Sequence, residues 1–346
     1  MSANLSAGFD VTQAPNGSAC GINMRFTHAF LPPVFMAVFA AGTLSNAWGL
    51  RSVCGAWNSI GNINIFMLNL GLADLQYLLT LPFLVAYYAE DSRWRFGQPF
   101  CKLTRFCFHL NLYGSIGFLT CVSIYRYLGI VHPMRAMGRL GSRHSLAISA
   151  LVWFLVVVQI LPDALFDKSD PGRPHACFDT TSDERIGQYL RYSVAWTLMG
   201  FAVPLVIIAL CYGHVVWVLA QKANVEPALK RRCLKLVLLL VLLFCVCFIP
   251  YHILRIVNLQ TRIWKREGIC RDSFRGVYVA HQIARCLACL NSALNPLIYI
   301  VGNDDFLARC RRVSERTGMS LANATRALLY RQRSEAGPDA AEAACP

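Results

Sequence analysis

The chain has 346 residues, of which 55% are hydrophobic and only 15% charged, with a net charge of +14. A water-soluble domain of this size needs a more heavily charged surface. The basic residues fall in loops and at the ends of apolar runs, so the positive balance speaks of membrane topology rather than nucleic acid, which is not an expected partner.

A hydrocarbon core about 30 Å thick is crossed by roughly 20 apolar helical residues. Runs of that kind recur at 28–50, 60–88, 100–131, 146–166, 190–220, 233–258 and 276–301, which predicts an all-α membrane protein with seven spans. Residues 1–27 are polar and lack a basic start with an apolar centre, so the first span is expected to act as its own uncleaved signal. The expected organisation is a tail over 1–27, a seven-helix bundle over 28–301, a short amphipathic helix over 302–316 and a disordered tail over 317–346.

Most of the 15 cysteines lie inside spans, where the residue serves as a small hydrophobe. Cys20, Cys177 and Cys270 lie in the tail or loops, and Cys101 opens the third span. Seven spans put all four on one side, and four cysteines on one face suit two disulfides in an oxidising compartment. That face is therefore the outside. Asn4 and Asn16 open glycosylation acceptor motifs, in keeping with an extracellular N-terminus. The outer side also keeps Arg93, Arg95, Lys168, Arg173, Arg262, Lys265, Arg266, Arg271 and Arg275, where positive charge is ordinarily depleted. An anionic ligand supplies a reason.

Ionisable and amide side chains at membrane depth are costly and point to function. Asp74 lies mid-span two, Asn46 in span one, Ser115 in span three, and Asn291 and Asn295 in span seven. A carboxylate among amides and hydroxyls is a candidate sodium site, or a polar network joining helices. Pro82, Pro162, Pro204, Pro250 and Pro296 fall inside spans, where each frees a carbonyl and permits a bend.

Taken together these residues resemble the rhodopsin-like G-protein-coupled receptors from about residue 28 to 316. The resemblance is carried by Gly42-Thr43-Leu44-Ser45-Asn46, by Leu70-Gly71-Leu72-Ala73-Asp74, and by Cys101 with Tyr125-Arg126-Tyr127. It continues in Trp153, Pro204 with Tyr212, Cys247-Phe248-Ile249-Pro250 and Asn295-Pro296-Leu297-Ile298-Tyr299. It implies a plasma-membrane receptor acting on a heterotrimeric G protein, with Arg126, Tyr212, Phe248, Pro250, Pro296 and Tyr299 in the activation machinery. It also implies an eighth helix on the inner membrane lipid surface, from Asp304 to Arg312. Serines in the tail add receptor kinases and arrestin as expected partners. Two departures stand out: Tyr125 replaces the usual acid before Arg126, removing an intrahelical ion pair, and Phe248 replaces the commoner Trp.

Within that family the chain resembles the nucleotide (purinergic) receptors and the neighbouring 2-oxoglutarate and succinate receptors. The stretches responsible are Phe106 to Ser115, Phe118 to Cys121, Pro250 to Arg255, and Arg285 ahead of Leu290-Asn291-Ser292. That branch carries two outer disulfides, implying the pairs Cys101–Cys177 and Cys20–Cys270.

Four cationic or potentially cationic groups are expected to face one cavity. Arg105 is about one turn inside span three from Cys101, and Arg285 is about three turns above Pro296. His252 and Arg255 are three apart and share a helix face. An Arg fork binds phosphate or carboxylate through two hydrogen bonds. His109, Tyr251, Tyr278 and His281 are further candidate lining residues, whereas Tyr113 is assigned to helix packing. The alternative is that the arginines pair with loop acids Asp179, Asp183 and Glu184. The expected ligand is a small anion, foremost a nucleotide, with a dicarboxylate or an acidic lipid as alternatives. Phe108 offers no carboxylate for an amine. No metal motif, phosphate loop or nucleophile–base pair suggests an enzyme, and no internal repeat suggests a transporter. A non-signalling scavenger receptor is the rival class.

Overall fold

The computed structural model describes residues 25–54, 62–132, 141–169, 172, 174–221 and 227–298. Asn4, Asn16, Cys20, Tyr299, the expected helix over 302–316 and the tail over 317–346 lie outside the described residues. The chain divides at Leu297, and the first unit, Met1–Pro296, holds the helices of the bundle.

Span one is Arg25–Cys54, span three Gln98–Val131 and span seven Ser273–Leu294. The other four are interrupted, each beside a proline. Span two runs Asn62–Leu78 and resumes as Leu81–Ala89 with Pro82 in its first turn. Span four, Ser142–Ile160, tightens into a 3₁₀ turn at Leu161–Leu165, which contains Pro162. Span five passes from Ile186–Thr197 through a π-turn at Leu198–Ala202 into Val203–Gln221, next to Pro204. Span six does the same: Pro227–Leu243, a π-turn at Phe244–Phe248, then Ile249–Arg266 with Pro250 in the first turn. A proline cannot donate to the preceding turn and its ring clashes there, so at these four places the strain is taken up in or beside the proline's turn, whereas span one carries Pro32 and Pro33 without interruption.

Among the described residues, six helices are long and apolar enough to cross a membrane. Span seven is not among them because its inward face carries His281, Gln282, Arg285, Asn291 and Ser292, all buried. Span one packs along spans two and seven, span six against five and seven, and span three against two, four and five. That arrangement is a ring of helices with span three at the centre. Its outer surface is apolar: Leu151, Phe154, Leu155, Leu198, Met199, Val206, Leu210 and Leu238 are all exposed. In water such a surface would be untenable; against hydrocarbon it is the expected one.

Span three begins at Gly97, whose φ of +80° is a conformation glycine adopts without strain. Trp94 Nε1 donates to the Gly97 carbonyl at 2.7 Å and fixes the entry turn.

Candidate functional site: a buried cation cluster under the second outer loop

Cys101 is disulfide-bonded to Cys177, which ties the loop between spans four and five to the top of span three. The linked residues are 76 apart, and closing a loop of that size removes about 4.5 kcal/mol of unfolded-chain entropy. Cys270 is also disulfide-bonded. The loop is then stitched down by side chains. Gln98 Nε2 donates to the Pro174 and Ala176 carbonyls, and Arg105 Nη2 to the Cys177 carbonyl at 2.5 Å. Arg262 holds Thr180 Oγ1, the Thr181 carbonyl and Asp183.

Beneath the loop lies Arg255, only 2% exposed. Tyr251, His252, Arg255, Asn258 and Leu259 are the buried stripe of outer span six, spaced as one helix face. Arg255 Nη1 donates to His109 Nε2 and to the Tyr251 hydroxyl, both at 3.1 Å. Its Nη2 donates to the Tyr189 hydroxyl at 2.7 Å. The guanidinium stands 4.8 Å from the Trp196 ring centre, a cation–π contact. Because His109 Nε2 accepts, the imidazole proton sits on Nδ1, which faces Asp163 Oδ2 at 3.4 Å. Tyr189 donates its own proton to Asp163 Oδ1 at 2.8 Å. Lys168 neutralises Asp163, lying 3.0 Å from both carboxylate oxygens, and gives its third proton to the Thr180 carbonyl at 2.6 Å. Burial pushes the Lys168 ammonium below its ordinary pKa while Asp163 pulls the other way; three acceptors for three N–H groups fix the charged form.

Arg285 has a different setting. Its Nη1 pairs with Asp179 Oδ2 at 3.3 Å and its Nη2 donates to the Tyr88 hydroxyl at 2.8 Å. Burial raises the Asp179 carboxyl, but Arg285 foremost outweighs this and holds it well below the usual carboxylate range. Arg285 lines an outward cavity of about 640 Å³ together with Tyr278, Asp179, Arg262, Lys265 and Arg266.

The expectation that four cations face one cavity needs correction. Arg285 and Tyr278 line the outward cavity; Arg105, His109, Tyr251, His252, Arg255 and His281 do not. The loop carrying Cys177 to Asp183 folds between, and the deeper groups are each no more than 3% exposed. A loop acid also claims one of the set, since Asp179 holds Arg285, and Asp183 holds the neighbouring Arg262. His252 stacks on Phe201 at 4.2 Å and His281 on Tyr251 at 6.1 Å; neither His252 nitrogen has a hydrogen-bond partner. Tyr113 packs between Trp196 and His252.

The charges beneath the loop do not balance. Among the described residues, Arg105, Lys168, Arg255 and Arg285 are buried, against Asp163 and Asp179: four cations, two carboxylates, an excess of two. Holding uncompensated charge out of water costs several kcal/mol per ion, a cost that an anion in contact would offset.

Deeper in the bundle, Asp74 accepts from Asn295 Nδ2 at 3.1 and 2.9 Å and from Asn111 Nδ2 at 2.8 Å. Asn111 Oδ1 accepts in turn from Ser292, and Asn46 bonds the Gly42 and Ser292 carbonyls. Ser115 and Asn291, expected in this network, are not hydrogen-bonded in it: Ser115 Oγ and both Asn291 amide atoms are buried without partners, the links running through Asn111 and Ser292 instead. On the inner side Tyr125 packs its ring against Phe66, and Tyr212 lies 2.9 Å from Ser123 Oγ. Phe248 is fully buried against Phe244 within the π-turn.

Asp163, Lys168, Tyr189 and Trp196 escape a reading of the sequence alone. The available signal is an acid and a lysine five residues apart, closing an apolar run just past Pro162.

The family model for the 7 transmembrane receptor (rhodopsin family) matches residues 52–299. The chain is 39% identical over 294 residues to the Y-type purinoceptor 1 of Homo sapiens, covering 84% of this chain and 79% of that one. It is 37% identical over 295 residues to the Y-type purinoceptor 1 of Gallus gallus, covering 84% and 81%. To the Y-type purinoceptor 4 of Xenopus laevis it is 34% identical over 306 residues, covering 86% and 56%.

Proposed function

Since the chain belongs to the rhodopsin family of seven-transmembrane receptors, we propose that it is a G-protein-coupled receptor for an extracellular nucleotide. The observation that carries this is the excess of two buried positive charges beneath the outer loop, with Arg255 set among Trp196, Tyr251 and Tyr189. Guanidinium forks suit phosphate oxygens and aromatic faces suit a base. The two relatives named as purinoceptor 1 support the nucleotide over a dicarboxylate. The protein is a multi-pass plasma-membrane receptor with its N-terminus and the acceptors Asn4 and Asn16 outside.

The ligand acts by binding two bundle states unequally. The interrupted spans five and six give those states a place to differ, and Arg126 and Tyr212 reorganise at the inner end where the G protein docks. Arrestin and receptor kinases take the tail. A sodium ion fits beside Asp74: the carboxylate is ringed by amides, and Ser115 Oγ, Asn291 Oδ1 and Asn295 Oδ1 are buried acceptors that lack a donor. Asp74, Ser115 and Asn291 would hold it.

The test is a calcium and cAMP assay on cells expressing the chain, challenged with ATP, ADP, UTP, UDP, 2-oxoglutarate and succinate, with Arg255→Ala and Arg285→Ala beside wild type. A nucleotide response weakened in both variants is the expected result. A response to the dicarboxylates alone would keep the site and change the ligand, and silence to all six would return the chain to the scavenger class.

A further inference from the structure

Asp163 and Arg255 are not joined by a direct ion pair, yet they belong to one circuit, hydrogen-bonded on the Tyr189 side and in close contact on the His109 side. It runs from Asp163 Oδ1 to the Tyr189 hydroxyl at 2.8 Å and from there to Arg255 Nη2 at 2.7 Å. On the other side Arg255 Nη1 donates to His109 Nε2 at 3.1 Å, and His109 Nδ1 faces Asp163 Oδ2 at 3.4 Å in a contact that is close but not hydrogen-bonded. Spans three, five and six and the turn ending span four contribute one member each. Every member is buried, at 2% exposure or less.

The circuit fixes the guanidinium. Of its five N–H groups, three are bonded: two from Nη1 and one from Nη2. All three go to uncharged groups, so Arg255 is oriented without its charge being cancelled in direct contact. Nε–H has no partner, which leaves it and the second Nη2–H for an anion. A carboxylate placed directly on Arg255 would occupy those donors. Standing one group away, Asp163 takes the Tyr189 proton in a hydrogen bond, so that the Tyr189 oxygen accepts from Arg255, and its charge faces the Nδ1–H side of His109 while leaving the donors free.

We propose that Asp163 is a positioning residue for ligand recognition. Acting through Tyr189 and His109, it presents Arg255 to the anion, and Lys168 couples this circuit to the outer loop at Thr180. The inference rests on Arg255 being a nucleotide contact. Lys168 is the counter-ion that lets a carboxylate persist at this depth, since an unpaired one would be neutralised or expelled. Its bond to the Thr180 carbonyl places the circuit one residue from Asp179, the partner of Arg285.

The test is a double-mutant cycle on ATP, ADP, UTP and UDP potency in the calcium assay, each variant matched for surface expression by flow cytometry. Tyr189→Phe keeps the ring and deletes the link. Asp163→Asn alone would strand the Lys168 charge, so D163N/K168Q removes both together. Expected is a potency loss of about tenfold or more in Y189F and in D163N/K168Q, as for a lost hydrogen bond to a charged group. In an Arg255→Ala background neither change should have further effect, a non-additivity that general loss of packing does not produce. Wild-type potency in Y189F, or losses that add to that of R255A, would overturn the proposal while leaving the nucleotide reading in place. An R255A receptor of undiminished potency, or a wild type silent to all four nucleotides, would remove both.

Discussion

Arg255 and Arg285 are close in chemistry and opposite in design. Arg285 meets its counter-charge face to face: Asp179, on a loop, with 29% of its side chain exposed, and the pair opens on the outward cavity. Arg255 meets hydroxyl and imidazole groups, and its counter-charge stands behind them, itself paired to a fully buried lysine. One cation is held by a partner that an incoming phosphate can replace. The other is held by neutral groups that leave part of its fork open. A phosphate chain therefore has to win Arg285 from the loop, while at Arg255 two donors are already waiting.

The largest effect should come from the pre-set partner. Arg255→Ala should lower nucleotide potency by about a hundredfold or more, and Arg255→Lys should not restore it, because a point ammonium cannot satisfy three acceptors of fixed direction and still offer a fork; concentration–response curves check both. Arg285→Ala should cost less, about tenfold to thirtyfold, since its removal also frees Asp179 to reach water. If the two losses were equal, the contrast between exchangeable and fixed counter-charges would be wrong. Asp179→Asn should move the other way, raising potency about threefold by removing the internal competitor. The smallest effect concerns pH. The Asp179 carboxyl is held below its ordinary range, so its pairing stabilises the fold above the unfolded carboxylate pKa and is lost as pH falls through the lower folded value. The melting difference between wild-type and D179N receptor in detergent should be flat from about pH 8 to 5 and narrow only below about pH 4.

The same contrast explains what the sequence reveals and what it hides. The seven spans are legible because lipid demands long apolar runs, and the all-α seven-helix fold follows from them. Hydropathy puts the outer limit of span six at 258, whereas the helix continues to Arg266, because its last turns are polar and hydropathy registers the lipid-facing average. His252 and Arg255 are legible as one inward face because three residues is nearly a helical turn. Their company is not. Asp163, Lys168 and Tyr189 come from a turn, a loop and another helix, and only folding brings them together. The division of the cations between an open cavity and a buried layer beneath it is equally hidden, since the loop that separates them has no periodicity to betray where it runs.

The π-turn at Phe244–Phe248 has a consequence in angular terms. Each residue of an α-helix advances about 100° around the axis, and a π-turn inserts one residue beyond the α-helical count. Everything beyond it, from Tyr251 to Arg262, is rotated by about that angle relative to the inner half of the helix. Were those five residues to relax into plain α-helix, Arg255 would swing by more than a quarter of a revolution, out of the aromatic box and toward the lipid. The outer face of span six is thus out of phase with its inner face, and the whole recognition stripe owes its inward aim to one surplus residue upstream of it.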